Sequence, residues 1–398
     1  LQLWLKVLIL LHFQVLIFRL KETFMNRKWI RAVFAGMVLA GAMDLAIIAR
    51  SAQGGDASAS KPAEQVYKNI QVLKGTPSDQ IIPTMQFVSN ALGVECEFCH
   101  VQGALEKDDK KPKQTARKMI EMQFAINKNH FEGERTVTCY SCHRGAHDPV
   151  GTPIIPDEEP KRAEAPKPPD ANAAPAITAE QIIDKYIQAV GGADALQKVT
   201  TRSEKGVIDF GRGKAPIDIL AKAPNKRIST MHTPNGDVIT AYDGHAGWLG
   251  NPGGRPPRDM NASENEAASF DANFYLPLEI KKAFTQLRVR PSDKIDGRDV
   301  IQVIGTKQGQ PPVRFFFDQQ SGLLVRTVRY TDTPLGRNPA EVNYADYRDE
   351  GGVKIPFRWT IARPLGRFTI QVDQVQQNVP IDDSRFAKPA APAPASPK

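Results

Sequence analysis

Two pentapeptides constrain this chain more than any other feature: Cys96-Glu97-Phe98-Cys99-His100 and Cys139-Tyr140-Ser141-Cys142-His143. Together they use all four cysteines in 398 residues. Each is C-x-x-C-H, the attachment pattern of c-type haem. The chemistry needs this spacing. Two thiols one helical turn apart can each add to a haem vinyl group, and the histidine that follows lies under the iron as the proximal ligand. Three other uses of paired cysteines compete. Zinc ribbons place their two C-x-x-C pairs about 15–20 residues apart, whereas Cys99 and Cys139 are 40 apart and zinc requires neither trailing histidine. A thioredoxin-like redox pair wants a strand–helix setting and has no reason to occur twice. Disulfides leave both histidines unexplained, and four cysteines are too few to staple a chain of this length. The reading adopted is two covalent haems, held at Cys96, Cys99, His100 and at Cys139, Cys142, His143.

Distal ligands follow from spacing. Of the eight methionines, Met85, Met119 and Met122 fall near the motifs. Thr76-Pro77-Ser78-Asp79 reads as a helix start, with a Thr cap, Pro at the first position and an acid at the third. Met85, Val88 and Leu92 continue it, Pro83 makes its first turns irregular, and Gly93 ends it. Met85, 11 residues before Cys96, is the expected sixth ligand of the first iron. A second helix is expected over Thr115–Asn129, with Met119, Met122 and Ile126 on one face. For the second iron Met119 is the expected ligand, with Met122 and His130 as alternates. The competing use of all three methionines is core packing. Methionine ligation raises the haem potential relative to bis-histidine. His147 reads as a surface histidine.

Around this centre the chain divides by composition. Its length predicts two or three domains. Met25–Arg31 is basic and precedes an apolar run, Ala32–Ala49, followed by small residues. This is the pattern of an export signal. Residues 1–55 therefore read as a signal peptide or a retained membrane anchor, with Met25 as the start and residues 1–24 as a start-site artefact. Residues 63–150 form the haem domain. Residues 151–176, rich in Pro, Ala and charge, read as a linker that cannot offset its ordering entropy by burial. Residues 177–389 form a second domain and 390–398 a disordered tail. The net charge of +8 speaks to docking and solubility rather than fold. No basic–aromatic stripe accompanies it, so no nucleic-acid partner is expected. Lys107–Lys113 reads as a solvated loop or as a patch steering an acidic redox partner.

The second domain opens with a helix, Ala179–Val190, closed by Gly191-Gly192. Strands are then expected over Arg202–Phe210, Ile217–Lys222, Lys226–His232, Val238–Tyr242, Val300–Gly305, Val313–Phe317, Leu323–Thr331, Ala340–Arg348, Val353–Arg363 and Arg367–Val375. Asn235-Gly236, Asp243-Gly244, Asp296-Gly297 and Gly351-Gly352 punctuate them as turns. Pro277–Leu287 reads as a helix crossing one face. The predicted fold is multidomain: a mainly α multihaem cytochrome c domain followed by a mainly antiparallel β, α+β half-barrel domain. His232 and His245 read as structural or exposed, and Trp248 and Trp359 as packing.

Leu92–His100, with Met85 upstream, resembles a haem segment of the photosynthetic reaction-centre cytochrome c subunit family. Arg117–Met122, Ile126-Asn127 and Val137–Gly145 resemble another. The resemblance covers roughly Val66–Pro149, and with two motifs the chain is half of a four-haem plan. It implies that a methionine on the helix before the motif ligates most haems and a histidine ligates one, and it implies electron delivery to a photo-oxidised chlorophyll pair. The C-terminal half resembles the half-barrel of periplasmic lipoprotein-carrier proteins, which implies an apolar concave face. The function expected is that of an exported or membrane-anchored dihaem c-type cytochrome performing one-electron transfer, an electron carrier and not an enzyme. Its expected partners are periplasmic redox donor and acceptor proteins, including a membrane-bound reaction centre or oxidoreductase. The alternatives are a two-haem peroxidase and a redox-sensing protein that binds lipid or another hydrophobic ligand.

Overall fold

The computed structural model describes residues 60–152, 177–253, 256–291, 294–364 and 366–389. The expected signal or anchor, nearly all of the linker and the tail lie outside these residues. No helix of the described residues is long and apolar enough to cross a membrane.

The motif-bearing segment is helical: α1 (Ala63–Val66), α2 (Ile81–Leu92), α3 (Cys96–Cys99), α4 (Lys111–His130) and α5 (Cys139–His143). Thr76 does not cap α2. A 3-10 turn, Ser78–Gln80, comes first, and α2 starts at Ile81. The reason is Pro83, which has no N–H to give to an earlier carbonyl. In the first turn of α2 that donor is not needed. Gly93 ends α2 in the left-handed region at φ 66°. A Cβ there would also fall 2.1 Å from the Gly145 carbonyl oxygen, so the end of α2 and the chain leaving α5 meet backbone to backbone. The second helix begins four residues earlier than expected, with Pro112 in its first turn.

In the C-terminal segment α6 (Ala179–Ala189) and α7 (Ala193–Lys198) come first, and α8 (Ala262–Ala272) and α9 (Leu276–Ala283) interrupt the strands. Strands β1 to β6 are Thr201–Asp209, Lys214–Lys222, Lys226–Thr233, Gly236–Tyr242, Gly247–Gly250 and Arg258–Asp259. Strands β7 to β13 are Gln286–Pro291, Val300–Thr306, Val313–Asp318, Leu324–Thr333, Gly336–Glu350, Val353–Arg363 and Gly366–Gln377. They form one antiparallel sheet in the order β6-β5-β4-β3-β2-β1-β13-β12-β11-β10-β9-β8-β7. Two meanders are thus joined where β1 pairs with β13. The expected antiparallel α+β fold is present. The expected helix over 277–287 is corrected: α9 ends at Ala283, and Leu287 lies in β7, where the chain alternates against the core.

One sheet face builds the main core. In β12, Val353, Ile355, Phe357 and Trp359 are buried while Lys354 and Arg358 are exposed, the two-residue period of a half-buried strand. Ile183 of α6 and Ile280 of α9 are fully buried over that face. Thr178 and Gln181 cap α6 reciprocally. Trp248 is buried and its Nε1 donates to the Phe386 carbonyl at 2.9 Å. Trp359 packs in the sheet core. Both tryptophans are therefore packing residues, as their positions predicted.

The helical segment has its own core of Ala63, Leu73, Ile81, Phe87, Ala91 and Ile120, and one further member comes from the sheet. Leu335, at the tip of the β10–β11 hairpin, is fully buried among these residues. Gly336 follows it so closely under the Phe87 ring that a Cβ would lie 2.1 Å from Cζ. Polar contacts surround the tip. Gln123 Nε2 donates to the Leu335 carbonyl at 3.0 Å, and Asn338 Nδ2 to the Pro83 carbonyl at 2.7 Å. Arg135 donates to the Thr333 carbonyl and pairs with Asp332.

Candidate haem-attachment site

Cys96–Cys99 and Cys139–His143 are single helical turns, so the side chains of each Cys-x-x-Cys pair start about one turn apart. Thr138 precedes α5, and its N–H donates to Ser141 Oγ at 3.1 Å, fixing the start of the turn. Cys96 and Cys142 are exposed, and Cys99 and Cys139 half-buried. Among the described residues no three His, Cys, Asp or Glu side chains gather as a metal cluster.

The two histidines share one arrangement. His100 Nδ1 is 2.9 Å from the Leu105 carbonyl oxygen, and His143 Nδ1 is 3.1 Å from the Ala146 carbonyl oxygen. A carbonyl only accepts, so each Nδ1 carries a proton, and in the tautomer this fixes Nε2 is the nitrogen left for a ligand. This is the orienting bond that iron- and zinc-ligating histidines make through their second nitrogen.

A cavity of about 310 Å³ opens beside the second motif. Its lining includes Val88 and Leu92 of α2, Met119, Met122 and Ile126 of α4, and Cys139, Cys142 and His143 of α5. Phe98 and Cys99 of the first motif reach the same cavity. So does His147, whose ring lies edge-on to Phe98 with centroids 4.9 Å apart. His147 is exposed and lies 3.1 Å from an Asp148 carboxylate oxygen. The helix face carrying Met119 and Met122 is the cavity face, and these side chains are 40% and 46% exposed. The face of α4 that packs inward is Lys113, Ile120, Gln123 and Asn127. His130, the last residue of α4, is exposed and outside the cavity lining. Met85 is half-buried against the helical core, also outside that lining.

Burial raises the Cys139 thiol to about 11 and the Cys99 thiol above its ordinary value. Such thiols stay protonated at neutral pH, the reverse of the lowered pKa that marks a redox-active Cys-x-x-Cys pair. Cys139 Sγ donates to Gln123 Oε1 at 3.2 Å, and the same amide donates to Leu335. One glutamine thus connects the second motif to the hairpin tip.

Three residues position the site in roles that the sequence did not reveal. Gln123 is one. Asn127 is another: its Oδ1 accepts from the Val137 N–H at 2.9 Å and its Nδ2 donates to the Val137 carbonyl at 2.7 Å. This double bond ties α4 to the chain entering α5. Asn127→Ala should cost about 1–3 kcal/mol, since it strips both partners from a shielded peptide unit. Urea unfolding measures this, and an unchanged midpoint counts against the role. The third is Lys113, read as part of a solvated loop. It is buried, and its ammonium donates to the carbonyls of Leu105, Glu106 and Lys107. The spacing of 113, 120, 123 and 127 was the available signal, but three of the four residues are polar, so apolar periodicity passes over them.

In the sheet, His232 lies between Asp237 (2.9 Å) and Asp218 (3.3 Å), whose hydrogen bonds raise its pKa. His245 remains exposed.

The family model for the photosynthetic reaction centre cytochrome C subunit matches residues 39–182. A photosynthetic reaction center cytochrome c subunit from Thermochromatium tepidum is 39% identical over 93 residues, covering 22% of this chain and 23% of the relative. Cytochrome c-554 from Chloroflexus aurantiacus is 38% identical over 85 residues, 20% of each chain. The chain therefore spans about a quarter or less of the length of these curated relatives. The sheet region has solved neighbours of another kind. A LolA superfamily protein from Nitrosomonas europaea aligns at TM-score 0.38 and 15% identity, covering 54% of this chain and 99% of that one. A DUF1329 family protein from Desulfovibrio piger aligns at 0.38 and 13%, covering 52% and 96%. The chain thus holds a segment similar to reaction-centre cytochrome c subunits.

Proposed function

We propose that this chain is a c-type cytochrome, carrying haem c covalently at both pentapeptides and passing single electrons on the periplasmic side of a membrane. The observation that carries this reading is the shared histidine geometry: His100 and His143 each have Nδ1 committed to a backbone carbonyl three to five residues on. The residues present fit the group. Each site offers two thiols a turn apart and an imidazole with Nε2 available, and an apolar cavity with two thioethers lies beside the second. Haem, when bound, supplies an iron that cycles between ferrous and ferric states.

The chain's own residues do the rest. Cys96 and Cys99, and Cys139 and Cys142, anchor the group, while His100 and His143 are its proximal ligands. We assign Met85 as the distal ligand of the first site and Met119 of the second, with Met122 and His130 as alternates. The presence of Met119 and Met122 on the cavity wall with His143 supports a sulfur ligand from α4. Val88, Leu92 and Ile126 give that wall an apolar lining. The fitting partners are donor and acceptor proteins at the membrane surface, such as a reaction centre or an oxidoreductase, with the export signal or anchor placing the chain beside them.

The test is a pyridine haemochrome assay on protein co-expressed with a c-type maturation apparatus. Two haems per chain are expected, resisting extraction by acid acetone. A colourless product, or pigment that is extracted, overturns the reading.

A further inference from the structure

The Leu105 carbonyl oxygen serves two donors. His100 Nδ1 reaches it at 2.9 Å, and so does Lys113 Nζ, also at 2.9 Å. The same ammonium donates to Glu106 O at 3.0 Å and Lys107 O at 2.7 Å, and meets Asp108 Oδ1 at 3.0 Å. Its side chain is only 10% exposed. Asp108 is in turn gripped by Arg117 through two bonds of 2.9 Å and by Asn69 Nδ2 at 3.0 Å. These bonds hold its carboxyl well below the usual range, Arg117 contributing most. Two cations and one anion therefore fix the loop on which His100 leans, with a net positive charge beside it. The second motif has a different setting. Among the described residues no lysine or arginine donates to Ala146 O, the partner of His143.

A cation on a carbonyl oxygen draws off the electron density that this oxygen offers to another donor. The His100 Nδ1–H is then held in place but polarised less, and the imidazole is a weaker electron donor at Nε2. The shielded charge also disfavours gain of positive charge nearby. Both effects favour the reduced state. We propose that Lys113 is a positioning residue for the first motif, holding the Leu105 carbonyl against His100 and raising the reduction potential of the group that His100 ligates. This rests on the haem reading above.

Lys113→Gln and Lys113→Arg are made in the full chain, with covalent haem counted on the same preparations, and each midpoint is followed by optical redox titration. In Lys113→Gln one of the two midpoints is expected to fall by a roughly tenfold shift of the ferrous–ferric equilibrium, equal to about 59 mV for one electron. The other should move much less. Lys113→Arg keeps the cation and should recover most of the shift. Asp108→Asn removes the counter-charge and leaves the lysine in place, so it should raise the same midpoint. It also decides the matter if Lys113→Gln does not fold. Two retained haems with unmoved midpoints in Lys113→Gln, or a fall or no change in Asp108→Asn, overturn the inference and leave the cytochrome reading standing. Absence of covalent haem in the unmodified chain removes that reading itself.

Discussion

Leu335→Asp is expected to be the most damaging single change in the described residues. The side chain is fully buried at the hairpin tip, among Ile81, Phe87, Ala91 and Ile120. Truncation to alanine at such a site costs about 2–5 kcal/mol from lost transfer and the cavity left behind. Aspartate adds a carboxyl with no prepared partner, so the cost should exceed that of alanine. The hairpin then has two outcomes, a buried acid or a displaced tip. In the second, Gln123 loses the Leu335 carbonyl, Pro83 loses Asn338, and the Arg135 contacts open. Thermal unfolding followed by circular dichroism should show a lower midpoint for Leu335→Asp than for Leu335→Ala, and both below the unmodified chain. Amide exchange should quicken in α2 and α4. Equal midpoints in all three proteins rule out the hairpin as part of the helical core.

The second large effect concerns the cofactor. Cys139→Ala combined with Cys142→Ala is expected to halve the covalent haem content, leaving only the group at Cys96 and Cys99. His143 alone provides coordination without a covalent tether, and a group held that way is extracted by acid acetone. The double variant should therefore be paler. Mass spectrometry and the haemochrome assay measure content. Full haem content in the double variant removes the second attachment site.

Much of the frame was legible because its signals are short. The Cys-x-x-Cys-His repeats, the Gly93 stop after α2 and the alternation along Val353–Trp359 each need fewer than a dozen residues to read. The strands of the sheet were found nearly at their bounds wherever β-branched and aromatic residues alternate. The misses were of two kinds. Gly247–Gly250 and Arg258–Asp259 are too short to show a period, and Leu287 was drawn into a helix that stops at Ala283. On α4 the buried face was not read, because Lys113, Gln123 and Asn127 are polar. Each is buried because it satisfies backbone carbonyls or amides, a reason invisible to hydrophobic patterning.

By itself the sequence determined the spacing of thiols and imidazoles, the helix that leads into the first motif, and the antiparallel character of the C-terminal half. These follow from covalent geometry and from periods of two and 3.6 residues. Only the tertiary structure decided that Leu335 completes a core 212 residues away from its partner Gln123, that His100 and Lys113 share one carbonyl, and that Phe98 and His147 meet across the two motifs. Such contacts depend on how assembled elements approach one another. A local pattern can say which side of an element is apolar, but not which distant backbone group will need the donor it carries.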